Sequence, residues 1–196
     1  MAKYFDSASL KEMNDARQEI YKQRELIYQK YKIDLLDTDA LSALSIYEIV
    51  NQYDPDFNIN FARNGEDAKS NGVLIEQKAT RVEGPLTKTG KPRKNAGVDA
   101  AFQFHAMGDI DHARYIFVAR NKTDLSVVRI YDIGNPSNVQ KVVGHLMAER
   151  NAWLAKTQGN QASMKRDIIV LPEQFILKNI KFGKPMTVNG CQVFKD

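Results

Sequence analysis

Cysteine and long apolar runs are both scarce in this chain of 196 residues. Cys191 is the single cysteine, so the chain cannot form an intramolecular disulfide and a cysteine-based zinc site lacks its ligands. No stretch approaches the roughly 18 consecutive apolar residues that cross a bilayer. The N-terminal residues also lack the apolar core of a signal peptide. We therefore expect a cytoplasmic protein that does not contact a membrane.

The chain also carries little excess charge, with 28 Lys and Arg against 24 Asp and Glu. The formal net charge of +4 permits a polyanionic partner without requiring one. Hydrophobic residues make up 43% and charged residues 27%, which is close to ordinary globular usage and excludes a wholly disordered chain. The distribution of charge, rather than its sum, must therefore indicate a partner.

Apolar periodicity predicts a strand-rich centre flanked by helices. The predicted helices cover 7–32, with Ser7 or Ser9 as the N-cap, 39–53 and 138–157. The predicted strands cover 57–61, 73–79, 115–119, 126–131 and 167–172, the last clear strand, while 101–105 is either a strand or part of a helix over 98–111. Glycine and proline predict a loop over 84–97, and short mixed structure follows residue 173. The pattern indicates one α/β domain over 1–196, in which 1–36 form an N-terminal helical arm.

The segment 65–78 carries the residues with the clearest chemistry. Asp67 follows one turn signal, and Asn71-Gly72 is a second signal of the hairpin type. Glu76 and Lys78 then lie on the same face of the predicted strand, because side chains at i and i+2 point to one side. If the two segments pair as a hairpin, Asp67 lies beside Glu76.

Two neighbouring carboxylates and a lysine form a set suited to phosphodiester hydrolysis. Mg²⁺ commonly takes one or two carboxylates from a protein and fills its other positions with water and phosphate oxygens. The cation lowers the pKa of a bound water and clamps the scissile phosphate, while a lysine holds the attacking water and offsets phosphate charge. Burying three such charges on an apolar strand pair would be costly without a task of this kind.

The spacing of Asp67, eight intervening residues and Glu76-Gln77-Lys78 resembles the active-site signature of the PD-(D/E)XK nuclease superfamily. Within that superfamily the chain looks most like a type II restriction endonuclease, the nuclease of a restriction–modification system. The resemblance implies a mixed central β-sheet flanked by helices, Mg²⁺-dependent hydrolysis of phosphodiester bonds in double-stranded DNA, and a homodimer. It also implies that Asp67 and Glu76 are the metal ligands and that Lys78 is the catalytic lysine.

Two further acids belong to the hypothesis. Pro55-Asp56 is a literal Pro-Asp that also precedes Glu76, and Asp56 is an alternative first carboxylate. We prefer Asp67, because Pro55 and Asp56 already explain the end of the preceding helix. Glu48, on that helix, is either an extra acid near the metal or a polar residue at the edge of the helix's core face.

A basic segment follows the candidate catalytic strand and is the predicted DNA contact. Residues 87–95 carry four positive charges and no negative charge, so they are expected to bind the phosphate backbone. Arg93 and Asn95 also suit base edges, guanine and adenine respectively, although a solvated charge run has the same composition. The predicted DNA-binding residues are Lys88, Lys91, Arg93, Lys94, Asn95 and His105.

A second polar cluster contains His105, Asp109, Asp111 and His112. A hydrolytic metal site or an HNH-type nuclease would explain its spacing, but the further ligands of those sites are absent from the sequence. We favour two simpler roles, in which these residues either line the DNA cleft or form a polar loop before the predicted strand at 115–119. Arg114 and Arg120, which flank the next predicted strand, suit phosphate contact and an ordinary surface position equally.

Three rival functions remain open from the sequence. A DNA-repair or junction-resolving nuclease would share the fold and the metal site. A catalytically inactive DNA-binding module would bind duplex DNA and release no product. A structural or interaction protein built around the N-terminal helix would show no salt-dependent affinity for DNA.

Overall fold

The computed structural model describes residues 6–34, 38–61, 67–83, 100–103, 112–121, 126–156 and 168–196. These residues form a mixed α/β structure with four helices and nine strands, which confirms the α/β class. The helices are α1 (Ser7–Tyr31), α2 (Thr38–Val50), α3 (Pro136–Lys156) and α4 (Glu173–Asn179). The strands are β1 (Asn58–Ile59), β2 (Ala68–Ser70), β3 (Val73–Glu83), β4 (Ala100–Gln103), β5 (Arg114–Asn121), β6 (Val127–Ile133), β7 (Ile168–Leu171), β8 (Met186–Val188) and β9 (Cys191–Lys195).

The chain divides into two compact units, Met1–Ala43 and Leu44–Asp196. The first unit contains α1, a polar helix with no buried residue. Its N-cap is Asp6, whose Oδ1 accepts a hydrogen bond of 2.8 Å from the backbone N of Ser9. The prediction of Ser7 or Ser9 as the cap is therefore wrong, because both serines already lie inside the helix. The division of the sequence at residue 36 stays a prediction.

The second unit is built on a mixed seven-stranded sheet with the order β1-β2-β3-β5-β6-β9-β8. β3 runs parallel to β5 and β6 parallel to β9, and the other neighbours are antiparallel. The prediction that 167–172 is the last clear strand is wrong, since the C-terminal residues form the β8–β9 hairpin. β7 pairs instead with β4 in a separate two-stranded sheet.

Each face of the large sheet packs against its own hydrophobic core. The continuous apolar run of β5 supplies both cores, because alternate side chains point to opposite faces. Tyr115 and Phe117 belong to the core that includes apolar residues of α3 and α4. Ile116 and Val118 belong to the core that includes apolar residues at the end of α2. The sheet therefore lies between helices, and β3 is a direct neighbour of β5 within it.

Candidate active site

A two-residue turn sets the register of the hairpin formed by β2 and β3. Asn71 and Gly72 have φ angles of 49° and 78°, the positive values that a type I′ turn requires at both central positions. Asparagine and glycine tolerate this region of φ, which most side chains avoid. Ala68 consequently pairs with Ile75, so Asp67, which precedes Ala68, and Glu76, which follows Ile75, lie at the same end of the hairpin.

The carboxylate of Asp67 is fastened to the neighbouring strand. Its Oδ2 accepts a hydrogen bond of 2.8 Å from the backbone N of Gln77, the residue that follows Glu76. The structure therefore holds the carboxylate of Asp67 against the backbone of β3, at the residue next to Glu76.

Glu76 and Lys78 project from β3 onto one face and bond to each other. The Nζ of Lys78 donates to Oε1 of Glu76, whose side chain is 3% exposed, whereas the lysine side chain is 21% exposed. Their register partners on β5 are Tyr115 and Phe117, and these two rings stack with centroids 6.0 Å apart. These aromatic rings lower the local dielectric. The lower dielectric strengthens the attraction between the carboxylate of Glu76 and the ammonium of Lys78.

His112 joins the site from the segment that precedes β5. Its Nε2 lies 3.8 Å from Oε2 of Glu76, and its side chain is 10% exposed. Its backbone N donates to the hydroxyl of Tyr115 at 3.3 Å, and its ring packs edge-on against the Tyr115 ring. From the sequence, His112 is expected to line the DNA cleft or to lie in a polar loop, and its contact with Glu76 is not predicted. The available signal was its place just before a strand, but local periodicity does not name that strand's partner.

The remaining predicted site residues are exposed or lie beyond the described part of the chain. Glu48 is exposed on α2, and Asp56 is exposed just before β1. Asp67 instead bonds to the residue that follows Glu76, so the hairpin geometry favours Asp67 as the first acid. The predicted DNA contacts and the other members of the second polar cluster stay predictions. They lie in 84–99 and 104–111, outside the described residues: Lys88, Lys91, Arg93, Lys94, Asn95, His105, Asp109 and Asp111.

A separate buried polar cluster, called the Arg114 cluster below, lies on the opposite face of β5 and is centred on Arg114. Its guanidinium donates two hydrogen bonds to Asp132, at 2.7 and 2.6 Å, and one to Asp54, at 2.5 Å. Its side chain is only 11% exposed. The expectation that Arg114 meets phosphate or lies on an ordinary surface is therefore wrong, because two carboxylates already surround it. Arg120, at 5% exposure, is likewise buried rather than on the surface.

Burial and hydrogen bonding oppose each other in setting the pKa values of the Arg114 cluster. Burial alone would raise the pKa of Asp54, but hydrogen bonds from Arg114 and from the Ser70 hydroxyl, at 2.8 Å, hold it below its ordinary value. Burial opposes the charge of Arg114, yet the hydrogen bonds and charges of the two aspartates raise its pKa. Burial also raises the pKa of Tyr53, whose hydroxyl donates to Asp132 at 3.0 Å. At neutral pH, Asp54 and Arg114 are therefore charged and Tyr53 is neutral.

The described part of the chain lacks both a metal-binding group of side chains and a membrane-spanning helix. No group of three or more His, Cys, Asp or Glu residues is arranged there to hold a metal ion. No helix in the described ranges has both the length and the apolar character that a membrane span needs.

No protein-family model matches the chain, and no curated protein gives a significant match.

Proposed function

We propose that this chain is a Mg²⁺-dependent endonuclease that hydrolyses phosphodiester bonds of double-stranded DNA at specific sequences, in the manner of a type II restriction enzyme with the PD-(D/E)XK fold. One observation carries the proposal, namely that Asp67, Glu76 and Lys78 converge within one hairpin. A chance match to the motif gives no reason for the carboxylate of Asp67 to bond to the residue that follows Glu76. It also gives no reason for a glutamate to be 3% exposed beside a lysine.

The side chains at the hairpin fit a hard dication. Carboxylate oxygens such as those of Asp67 and Glu76 are the ligands that Mg²⁺ prefers, and one or two of them commonly suffice. When bound there, Mg²⁺ would supply positive charge at the phosphate and a lower pKa for a coordinated water. The mixed sheet with helices on both faces is compatible with the restriction-endonuclease-like fold that the motif implies.

The chain's own residues provide orientation and charge. Gln77 holds the carboxylate of Asp67 through its backbone N–H, and Glu76 orients the ammonium of Lys78 by a charge-assisted hydrogen bond. Lys78 is the more exposed member of this pair, so it can approach a phosphate oxygen or the attacking water at the rim of the site. Its charge then offsets the negative charge that develops on the phosphate. Because these contacts exist before substrate binds, little reorganisation is required.

The proposal is tested by digestion of a long mixed-sequence plasmid. Wild-type protein should release discrete fragments with Mg²⁺ and none with a chelator. Lys78→Ala should bind the same DNA but cleave it about a hundredfold to a thousandfold more slowly, because a preorganised charge at the reacting phosphate is lost. The matched control is Lys178→Ala, an exposed lysine of α4, which should cleave like the wild type.

Each other outcome of that digestion selects a rival. Cleavage of branched substrates alone would indicate a junction-resolving or repair nuclease, and DNA binding without product would indicate an inactive binding module. Full cleavage by Lys78→Ala would remove the catalytic assignment of that lysine.

The proposed partners are double-stranded DNA and a second copy of the chain, since a two-fold protein matches a near-palindromic site. We propose that the basic segment 87–95 contacts the phosphates. Replacing Lys91, Arg93 and Lys94 with alanine should weaken DNA binding and reduce the slope of log affinity against log salt by up to about three. The measurement is a titration by fluorescence anisotropy at several salt concentrations. An unchanged slope would exclude this segment from the interface.

A further inference from the structure

We propose that Lys69 binds a DNA phosphate that flanks the scissile one, and that it thereby seats the duplex at the candidate active site. This inference deepens the proposed function and rests on it for the presence of DNA at this face. Its content is a binding residue outside the nuclease motif, together with the chemical class of its ligand, a phosphodiester oxygen.

The register of the hairpin puts Lys69 on the same face as the candidate catalytic residues. Lys69 on β2 pairs with Leu74 on β3, and directly opposed residues of two paired strands point to the same side. Leu74, Glu76 and Lys78 share that side, because side chains alternate along β3. Lys69 therefore projects from the face that carries the buried glutamate and the lysine of the motif.

The two neighbours of Lys69 on β2 have the opposite orientation. Ala68 is 0% exposed and belongs to the core that includes apolar residues at the end of α2. The hydroxyl of Ser70 donates to Asp54 at 2.8 Å in the Arg114 cluster. Both neighbours thus point to the other face of the sheet, which leaves Lys69 between them on the face of the candidate active site.

The accessibility of this face increases toward the turn of the hairpin. Glu76 is 3% exposed and Lys78 is 21% exposed. Leu74, one step nearer the turn on the same face, is 46% exposed, and its partner Lys69 is exposed as well. A duplex that approaches the buried carboxylate therefore meets Lys69 at the rim.

The charge of Lys69 is not paired within the described part of the chain. None of the ion pairs found there includes this lysine. Asp67, two residues earlier, accepts from the backbone N of Gln77 instead. The Glu76 carboxylate contacts Lys78. The ammonium of Lys69 consequently faces water, which a phosphate oxygen can replace with release of counterions from the DNA.

The spacing of the two lysines suits one strand of a duplex. Lys69 is opposed to Leu74, so it lies four residues from Lys78 along the strand direction, which is about 13 Å. Its diagonal distance from Glu76 is about 7–8 Å. Phosphates of one DNA strand succeed one another every 3.4 Å or so of helix axis, roughly. A strand whose scissile phosphate lies at Glu76 and Lys78 therefore brings a neighbouring phosphate to Lys69.

The test is DNA binding by the full chain, followed by fluorescence anisotropy at several salt concentrations in the presence of a chelator. Lys69→Gln removes the ammonium and keeps most of the length of the side chain. Loss of one phosphate contact should reduce the slope of log affinity against log salt by about one. It should also weaken binding about tenfold at roughly 50 mM salt. Lys69→Arg keeps the charge and should bind like the wild type.

The matched control is Lys178→Gln, an exposed lysine of α4, which should keep the wild-type slope. Urea unfolding of Lys69→Gln should match the wild type, because the replaced side chain is exposed. A fall in affinity then reports a lost contact rather than a lost fold. A wild-type salt slope in Lys69→Gln, or an equal reduction of the slope in Lys178→Gln, would overturn the inference.

The position of the contacted phosphate is read with single neutral methylphosphonates along a duplex that contains the cleavage site. At the phosphate bound by Lys69, the modification should weaken binding by the wild type about as much as Lys69→Gln does. It should add no further loss to that variant, because one contact is removed twice. Additive losses at every position within about three phosphates of the cut would overturn the assignment.

The nuclease proposal fails separately from this one. A wild-type chain that never cleaves DNA, with a salt slope that Lys69→Gln reduces, keeps the phosphate contact and loses the proposed function. A wild-type chain that cleaves DNA, with a salt slope that Lys69→Gln leaves unchanged, keeps the function and loses the role of Lys69.

Discussion

The two faces of β3 and β5 carry two buried polar clusters that are built in different ways. On one face, Arg114 reaches Asp54 and Asp132 through three hydrogen bonds of 2.5 to 2.7 Å. On the other face, Glu76 and His112 are 3.8 Å apart, a distance wider than a hydrogen bond. The planar guanidinium matches two carboxylates in geometry and charge, so the Arg114 cluster is suited to stabilising the fold. The Glu76–His112 contact is the wider of the two, and it lies at the candidate active site.

The Arg114 cluster also contacts the segments that carry the candidate active site. Asp54 accepts from Ser70, which lies on β2, the strand that follows Asp67. Arg114 begins β5, just after His112. The ion pairs on one face therefore hold together the two segments that deliver acid and imidazole to the other face. A comparison of variants on the two faces should separate loss of chemistry from loss of stability.

The largest expected effect is on catalysis, from Glu76→Gln. If the proposed function holds, cleavage with Mg²⁺ should fall by at least about a thousandfold, because the proposed metal ligand and the anchor of Lys78 are lost together. Stability to urea should stay the same or rise, since a buried charge is removed and Lys78, at 21% exposure, can turn toward water. The measurement pairs single-turnover cleavage with urea unfolding.

The control for this variant is Glu149→Gln, an exposed glutamate of α3, which should match the wild type in both assays. If Glu76→Gln cleaves DNA at the wild-type rate, or if this variant is unfolded, then the proposal that one face serves catalysis and the other stability is wrong.

The largest expected effect on stability comes from Arg114→Met. Removing the guanidinium leaves Asp54 and Asp132 buried together, which should cost about 3–5 kcal/mol of unfolding free energy. Urea denaturation measures this cost. Activity per folded molecule should fall far less than it does for Glu76→Gln.

Arg24→Met offers a matched control for this loss. Arg24 also binds an aspartate, Asp34, at 2.7 and 2.6 Å, but the two side chains are 39% and 34% exposed. The cost there should be far smaller, because solvent screens an exposed ion pair. Equal costs for the two arginines would show that burial does not distinguish the Arg114 cluster from a surface ion pair.

A smaller, pH-dependent effect is expected from Asp54→Asn. The pKa of Asp54 is lower in the folded chain than its ordinary value, so its ionised form stabilises the fold above the unfolded-state pKa. That stability is lost as pH falls through the folded-state pKa. Asp54→Asn should therefore cost about 2 kcal/mol at neutral pH, and the difference from the wild type should shrink below about pH 4.

Urea unfolding over a pH series measures this difference, and Asp56→Asn, exposed two residues later, should track the wild type. A difference that stays constant down to acid pH would mean that the charge of Asp54 contributes nothing to stability.

Much of the second unit follows from local pattern. Helix α3 and strands β3, β5 and β6 are confirmed close to their predicted limits, because amphipathic and apolar periodicity are properties of neighbouring residues. The β8–β9 hairpin escaped prediction, since its short strands and polar flanks carry little periodicity. The pairing of β7 with β4 was equally hidden, because the choice of partner strand depends on the whole topology.

The candidate site divides along the same line. The Asn71-Gly72 turn and the alternation of β3 are written in adjacent residues, so the sequence alone determined that Asp67, Glu76 and Lys78 can meet. Only the tertiary structure decided that β3 lies parallel to β5, which places His112 at Glu76 and turns Arg114 toward Asp54 and Asp132. The physical reason is that a tight turn fixes the register of its own two strands, whereas contacts between distant strands are chosen by the packing of the whole sheet.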